Sequence, residues 1–228
     1  MEQYYEILLQ CPLFDGICRE DLAGMLACLD GKPKRISKGS PVFLEGDPAR
    51  FLGIVLSGAV QIVREDYYGA RSVLAVVQPG GLFGEAFSCA GLDTMPVSVI
   101  ALQPGAVLLL DARRVLTGCS NACAFHSRLI RNLLQGMAQK NLELTRKIRY
   151  MSQKTTRKKL MEFLLDQAKQ HQSPEFVIPY DRQALADYLG VERSAMSAEI
   201  GKLKQAGLIE SKGAWFRVLT PDLKSTRA

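Results

Sequence analysis

Scarcities bound this chain before any motif does. Of its 228 residues only two are histidine and one is tryptophan. Nowhere do eighteen apolar residues run together, so no membrane-spanning helix and no membrane partner are expected. The opening MEQYYEILLQ has no basic stretch ahead of an apolar run, so no secretory leader is read and a cytoplasmic location is the expectation. The six cysteines, at positions 11, 18, 28, 89, 119 and 123, include no CxxC pair. Zinc sites use tighter ligand pairs, so reduced, buried thiols are expected, with no metal site and no cofactor. Two histidines, no phosphate loop and no nucleophile beside a base leave catalysis without machinery, and the chain is read as a non-enzyme.

Positive charge is also scarce, but only in one part. Residues 1–139 hold 12 Lys+Arg against 13 Asp+Glu, whereas residues 140–228 hold 17 against 10. The whole excess behind the net +6 therefore lies in the last ninety or so residues. One module is suited to meet a polyanion and the other is not. A hydrophobic content of 47% supplies a core and argues against disorder.

Three segments follow from the patterning. Residues 1–22 read as helical, with Ile7, Leu8, Leu9 and Leu13 as packing positions. From about Lys34 to Leu110, short apolar runs alternate with turns: PVFLEGD, FLGIVLSGAVQIV, SVLAVVQPGG, VSVIAL and AVLLLD. Gly39, Gly46, Gly58, Gly69, Gly80 and Gly81 punctuate them, which predicts an all-β barrel or roll. From about Ala122 to Met151 proline is absent and Gly136 is the lone glycine, which predicts a long helix. Ile130, Leu134, Met137, Asn141, Leu144, Ile148 and Met151 recur along it at steps of 4 and 3, a heptad seam with one polar member. A helix packed on its own barrel is the plainer alternative. A 3.5-residue period over three heptads suits a partner helix better, so a parallel homodimer with Asn141 facing its counterpart is expected. The expected domains are 1–118, 119–151 and 152–228.

The last segment carries the densest signal. A helix is predicted from about Lys154 to Gln170, then a short strand in QSPEFVIPY. Next comes DRQALADYLGVERSAMSAEIGKLKQAGLIESKGAWFRVL. Asp181 suits an N-cap, Ala184, Leu185 and Tyr188 a buried face, and Gly190 a sharp turn into a second helix that ends at Gly207. In that second helix Met196, Ile200 and Leu203 must face the core. Ser194, Ala198, Gly201 and Gln205 lie opposite, flanked by Ser197 and Lys202. A face of small and polar residues is what a helix needs to enter the major groove of double-stranded DNA. Arg193 stands at its start, able to donate two bonds to guanine, worth about 1–3 kcal/mol of discrimination. Ser194 and Ser197 suit bases or phosphates, and Ala198 a thymine methyl. Two strands around Lys212-Gly213 predict a wing, with Lys212 and Arg182 as phosphate contacts. A helical hairpin used for protein contacts is the competing reading.

With these residues placed, the chain resembles the Crp/Fnr family of bacterial transcription regulators over nearly its whole length. The likeness rests on KGSPVFLEGD, IVLSGAVQIV and GGLFGEAF in the first part and RQALADYLGVERSAMS in the last. It implies an α+β fold: an N-terminal antiparallel, cyclic-nucleotide-binding-like β-roll, a long dimerisation helix and a C-terminal winged helix-turn-helix. It further implies a small-molecule effector between roll and helix, a near-palindromic operator, and RNA polymerase as a partner. Nucleotide-binding members follow the Gly-Glu pair with Arg-Ser or similar. Here Gly84-Glu85 is followed by Met95 and Pro96, and no arginine lies between Arg71 and Arg113. A cyclic phosphate would lack its cation, so the expected effector is a small organic molecule rather than cyclic AMP. Gly84, Glu85, Met95, Pro96 and Val97, with Asn141, Leu142 and Glu143, are its expected lining. The cysteines are too spread for the family's iron–sulfur cluster, and His126 reads as an ordinary helix residue rather than a haem ligand. A cyclic-nucleotide- or redox-responsive regulator, or a ligand-binding module whose winged helix meets protein, are the alternatives. Effector binding is expected to reorient the DNA modules on a hinge near residues 151–154, setting the two recognition helices about 34–36 Å apart.

Overall fold

The computed structural model describes residues 1–68, 71–117 and 124–219. Gly69, Cys119, Cys123, the expected helix start at Ala122 and the expected boundary at 118/119 lie outside them. Helices α1 (Tyr5–Leu9) and α2 (Arg19–Cys28) come first, joined through a short 3-10 turn at Pro12–Phe14. The opening stretch is thus several short pieces rather than one helix. Pro12 has no amide to donate to a continuing helix, and Cys11 and Cys18 are extended. Leu8 and Leu13 are buried, and Ile7 and Leu9 pack against the same cluster.

The roll comprises β1 (Lys32–Ile36), β2 (Pro41–Phe43), β3 (Phe51–Glu65), β4 (Arg71–Val77), β5 (Leu82–Phe83) and β6 (Ser98–Asp111). Helix α3 (Glu85–Cys89) separates β5 from β6, and α4 (Ala112–Leu116) follows β6. The sheet is antiparallel, in the order β1-β6-β3-β4, with β2 added to β6 and β5 to β3. VSVIAL and AVLLLD, which read as two strands around a Pro-Gly turn, are one strand. Pro104-Gly105 instead makes an irregularity opposite Ser57–Ala59, where the pairing shifts register. Two glycines permit it. Gly58 has φ of +74°, and a Cβ there would lie 2.5 Å from the Pro104 oxygen. A Cβ on Gly105 would collide with the backbone of Ser57.

Strand alternation then sorts side chains into two cores. Leu52, Ile54 and Leu56 of β3 and Ala106, Leu108 and Leu110 of β6 face a cluster built with Leu8, Leu13, Phe14, Leu22 and Leu26. Val55 and Val60, with Val99, Ala101 and Val107, face the roll interior beside Val42, Phe43, Phe83, Met95 and Val97. Asp111 caps α4 by accepting from the Arg113 amide at 3.0 Å and pairs with Arg50 at 2.7 Å. Helix α5 (Ala124–Met151) begins by packing Leu129 and Leu133 into the first cluster. His126 is buried there, its Nε2 3.1 Å from the Arg114 carbonyl oxygen.

Contacts divide the chain into two units, 1–139 and 140–228. The second unit takes the end of α5, then α6 (Thr156–Gln170), β7 (Glu175–Val177), α7 (Arg182–Leu189), α8 (Arg193–Gln205), β8 (Ile209–Lys212) and β9 (Trp215–Val218). Its sheet has the order β7-β9-β8. One apolar cluster joins Tyr150, Leu160, Phe163, Leu164, Leu185, Leu189, Met196, Ile200, Leu203, Ile209 and Phe216. The Tyr150 hydroxyl donates to Asp166, which also accepts from Arg149 at 2.8 Å and Gln170 at 2.7 Å. Burial opposes ionisation of Asp166. The bonds from Tyr150, Arg149 and Gln170 outweigh that and hold the carboxyl below its ordinary 3.8.

Gly105→Ala should destabilise the roll by about 3 kcal/mol, an overpacking penalty against backbone. Gly24→Ala, in α2 with open space around it, should stabilise by about 0.5–1 kcal/mol, both read by urea unfolding. A carboxyl depressed in the folded state stabilises above its unfolded value and loses that contribution as pH falls through the folded one. The stability gap between wild type and Asp166→Asn should therefore be full at neutral pH and close as pH is taken below 3.8.

Candidate nucleic-acid interface and effector region

Helix α7 starts where Asp181 accepts a bond from the Ala184 amide at 2.8 Å, a cap worth about 1 kcal/mol. It buries Leu185, Ala186 and Leu189, with Tyr188 half-buried, while Ala184 is exposed. Ala184 was expected on the inner face; the face centred on Leu185 and Leu189 extends to Ala186, about 100° to the other side of Leu185, and leaves Ala184 in the open. Gly190 ends α7 at φ 60° and ψ 54°, a left-handed conformation that most side chains resist. The chain then turns into α8, whose Met196, Ile200 and Leu203 are buried.

The opposite side of α8 is open. Arg193, Ser194, Ala195, Ser197, Ala198, Lys202 and Gln205 are exposed and Gly201 is half-buried. The Lys202 ammonium bonds Glu199 at 2.6 Å. Beside this face runs a groove of about 460 Å³ lined by Lys154, Thr155, Thr156, Arg157, Ala195, Ala198, Glu199 and Lys202. Lys154, Thr156 and Arg157 were not singled out in the sequence, although the run KTTRKK carried the signal: bases crowded at a helix start, where they repel the helix dipole unless an anion is nearby.

The wing is present as β8 and β9, paired from Ile209↔Val218 to Lys212↔Trp215. Lys212 is exposed at its tip, next to Gly213. Arg182 is partly occupied within the fold. Its guanidinium lies 4.9 Å over the Phe216 ring and 3.5 Å from the Ser211 hydroxyl, and burial pulls its pKa down.

In the roll, Gly84 precedes α3 and Glu85 is buried in the first turn. Residues 93–97 are strapped down by backbone bonds: Gly46 N to Met95 O at 2.9 Å, Met95 N to Asp47 O at 2.8 Å and Ala49 N to Asp93 O at 3.1 Å. The strap points Met95 and Val97 inward among Val42, Phe43, Phe83 and Val99, and leaves Pro96 outside. Asn141, Leu142 and Glu143 belong to the second unit and are exposed. Burial pushes the Cys89 thiol up. Among the described residues no group of three His, Cys, Asp or Glu side chains could hold a metal ion, and no helix is long and apolar enough to cross a membrane.

The heptad positions on α5 divide. Ile130 and Met137 are half-buried, whereas Leu134, Leu144 and Ile148 are 63%, 61% and 67% exposed. Met151 and Asn141 are exposed as well. Among the described residues an apolar stripe on α5 is thus left exposed.

Comparison with known proteins agrees with this geometry. Residues 17–121 match the cyclic nucleotide-binding domain family, and residues 158–224 match the Crp-like helix-turn-helix domain family. The chain is 27% identical over 198 residues to the cyclic AMP receptor protein of Thermus thermophilus, covering 87% of this chain and 88% of that one. It is 24% identical over 196 residues to the transcriptional activator protein FnrA of Stutzerimonas stutzeri, covering 83% and 76%. The fold is similar to that of the c-di-GMP responsive global regulator CLP of Xanthomonas campestris, with a TM-score of 0.55 at 21% identity over 89% of this chain and all of the other. An exposed recognition helix with its wing, a nucleotide-binding-type roll before it, and relatives that match both parts in the same order lead to one assignment: the chain belongs to the Crp/Fnr family, and is a DNA-binding transcription regulator rather than an enzyme.

Proposed function

We propose that the protein works as a homodimer that reads a near-palindromic operator with two copies of α8, under the control of a small organic effector. The observation that carries the DNA reading is the continuous open face of α8 beside a groove rich in basic residues. Arg193 reads guanine, Ser194 and Ser197 bond bases or phosphates, and Ala198 meets a thymine methyl. Lys154, Arg157, Lys202 and Lys212 meet phosphates. Arg182 contributes less, because Phe216 and Ser211 already hold it. Supporting the dimer is the uncovered stripe of Leu134, Leu144, Ile148 and Met151, with Ile130, Met137 and Asn141 completing the heptad. RNA polymerase is the further partner through which such a regulator acts.

The effector reading rests on what the roll interior contains. One named relative is a cyclic AMP receptor, whereas this chain carries neither lysine nor arginine from residue 72 to residue 112. The segment after Gly84-Glu85 turns Met95 and Val97 into an apolar core. An anionic phosphate buried there would find no opposite charge, so an apolar or aromatic molecule suits the site better. Gly84, Glu85, Met95 and Val97 are its proposed lining on the roll, and the outward Pro96 is not part of it.

Gel-shift titration on a duplex selected from random sequence tests the DNA roles. Arg193→Ala should lose about 1–3 kcal/mol and relax preference at one base pair per half-site. Lys212→Ala and Arg157→Ala should weaken all sequences alike and lower the salt slope by about one each. Parental affinity and selectivity in all three would defeat the assignment. Light scattering of the intact protein should give about twice the 25.2 kDa chain mass. Leu144→Glu with Ile148→Glu should return it to the monomer. In thermal shift, cyclic AMP should leave the melting point unmoved while a panel of small aromatic compounds contains at least one stabiliser. Stabilisation by cyclic AMP alone would overturn the effector reading.

A further inference from the structure

The end of α5 is tied into the DNA-reading unit at four places. Tyr150 is 1% exposed and sits in the same apolar cluster as Leu185, Met196 and Ile200. Its ring meets Phe163 edge-on at 5.7 Å and Tyr188 at 6.3 Å, while its hydroxyl donates to Asp166 on α6. Arg149 bonds Asp166 at 2.8 Å and Glu162 at 3.2 Å. The Lys147 ammonium lies 5.2 Å over the Tyr188 ring of α7. The Met151 methyl lies 3.1 Å from the point where a Cβ on Gly190 would stand, so it covers the turn between α7 and α8. Lys159 of α6 bonds the carbonyls of Leu189 and Gly190 at 3.4 and 3.2 Å and holds that turn from the other side.

The link from α5 to α6 is equally tight. Ser152 N bonds Ile148 O at 2.9 Å, the Ser152 hydroxyl bonds Arg149 O at 2.9 Å, and Thr155 caps α6. This is a poor place for a hinge. Between Leu133 and Tyr150, by contrast, α5 buries no side chain, and Gly136 lies within that span. A glycine inside a helix lowers its stability by about 0.5–1 kcal/mol relative to alanine. The heptad residues Leu134, Met137, Asn141, Leu144 and Ile148 fall in the same span.

We infer that Tyr150, Asp166 and Arg149 form a clamp that makes the last turn of α5 part of the DNA-reading unit, positioning α8 relative to the heptad stripe. Reorientation of the reader is then taken up within α5, N-terminal to Lys147, and not at residues 151–154 as the sequence suggested. The packing of a partner helix on residues 134–148 sets the direction of α5, and the clamp passes that direction to α8 without slack. Tyr150 and Asp166 are positioning residues in this scheme. They touch no DNA. The consequence for DNA rests on the dimeric reading above, whereas the clamp itself does not.

Two measurements on the intact protein separate these. Hydrogen exchange without DNA should show the amides of residues 148–152 protected like those of α6, and those of 138–146 much less so. Tyr150→Phe and Asp166→Asn should each speed exchange at 148–152 and leave the core of α8 unchanged. Wild-type amides at 148–152 exchanging as fast as 138–146 would overturn the clamp. The second measurement uses a duplex selected by the wild type from random sequence, then lengthened at its centre by two base pairs. The wild type should lose about tenfold or more in affinity, because its two readers are held at one spacing. Both variants should lose less than about threefold, with affinity for a single half-site kept within about twofold. Variants that keep the wild-type spacing preference would overturn the positioning role. A wild type indifferent to spacing would instead overturn the dimeric reading and the positioning role with it, leaving the exchange pattern to judge the clamp.

Discussion

The pairing of β3 with β6 is the constraint on which the first unit depends. Each strand carries apolar side chains on both faces over much of its length, and alternation sends successive residues to opposite sides. One side receives α1, α2 and the start of α5, and the other is the roll interior. A slip of one residue would exchange the two sets, so the register must be held. The close approach at Gly58 and Gly105 holds it, because a Cβ on either would collide with the facing backbone, and Gly58 also has a positive φ. The roll interior that results is apolar down to Met95 and Val97, and this bears on the class of molecule that could control the protein.

Helix α5 belongs to both halves of the chain. Its first turns are anchored through Leu129 and Leu133 and its last through Tyr150. The stretch between buries no side chain fully and displays the heptad stripe. Such a helix takes its stability from whatever packs on that stripe, since propensity alone contributes little over this length. In the proposed dimer a second copy supplies the missing half with the same period. In that arrangement, on the inference drawn above, a change in helix packing becomes a change in the aim of α8 through the part-buried phenol–carboxylate bond. Phenol and carboxylate suit this duty: each has a hydrogen-bond partner, so neither is left unpaired in the cluster.

Much of the DNA-reading surface was legible in the chain because helix-turn-helix chemistry is local. Asp181 as a cap, Gly190 at the turn, and Met196, Ile200 and Leu203 on one face are short-range facts, and the structure places each as expected. Ala184 and Ala186 flank Leu185 on either side of the helix, and local spacing over eight residues does not say which of the two alanines is covered. Lys154, Thr156 and Arg157 were passed over for another reason. Nothing local says that the start of α6 lies beside α8; only the packing of Leu160 and Phe163 against Met196 and Ile200 brings them together. The effector region was partly legible. The absence of a cation after Gly84-Glu85 could be read directly, but the inward turn of Met95 and Val97 depends on backbone bonds to residues 46–49, nearly fifty positions away.

By itself the sequence determined the succession of strands, long helix and winged helix, the charge contrast between the two parts, and the side of α8 left open for DNA. These follow from periodicity, capping and side-chain chemistry acting over a few residues. Tertiary structure alone decided that Pro104-Gly105 bends a strand instead of ending it. It alone decided that Tyr150 reaches Asp166, and that Arg149, Lys147 and Met151 meet α6, α7 and the turn at Gly190. Each of these turns on which distant atoms come within a few ångströms of one another, and no local pattern encodes that distance.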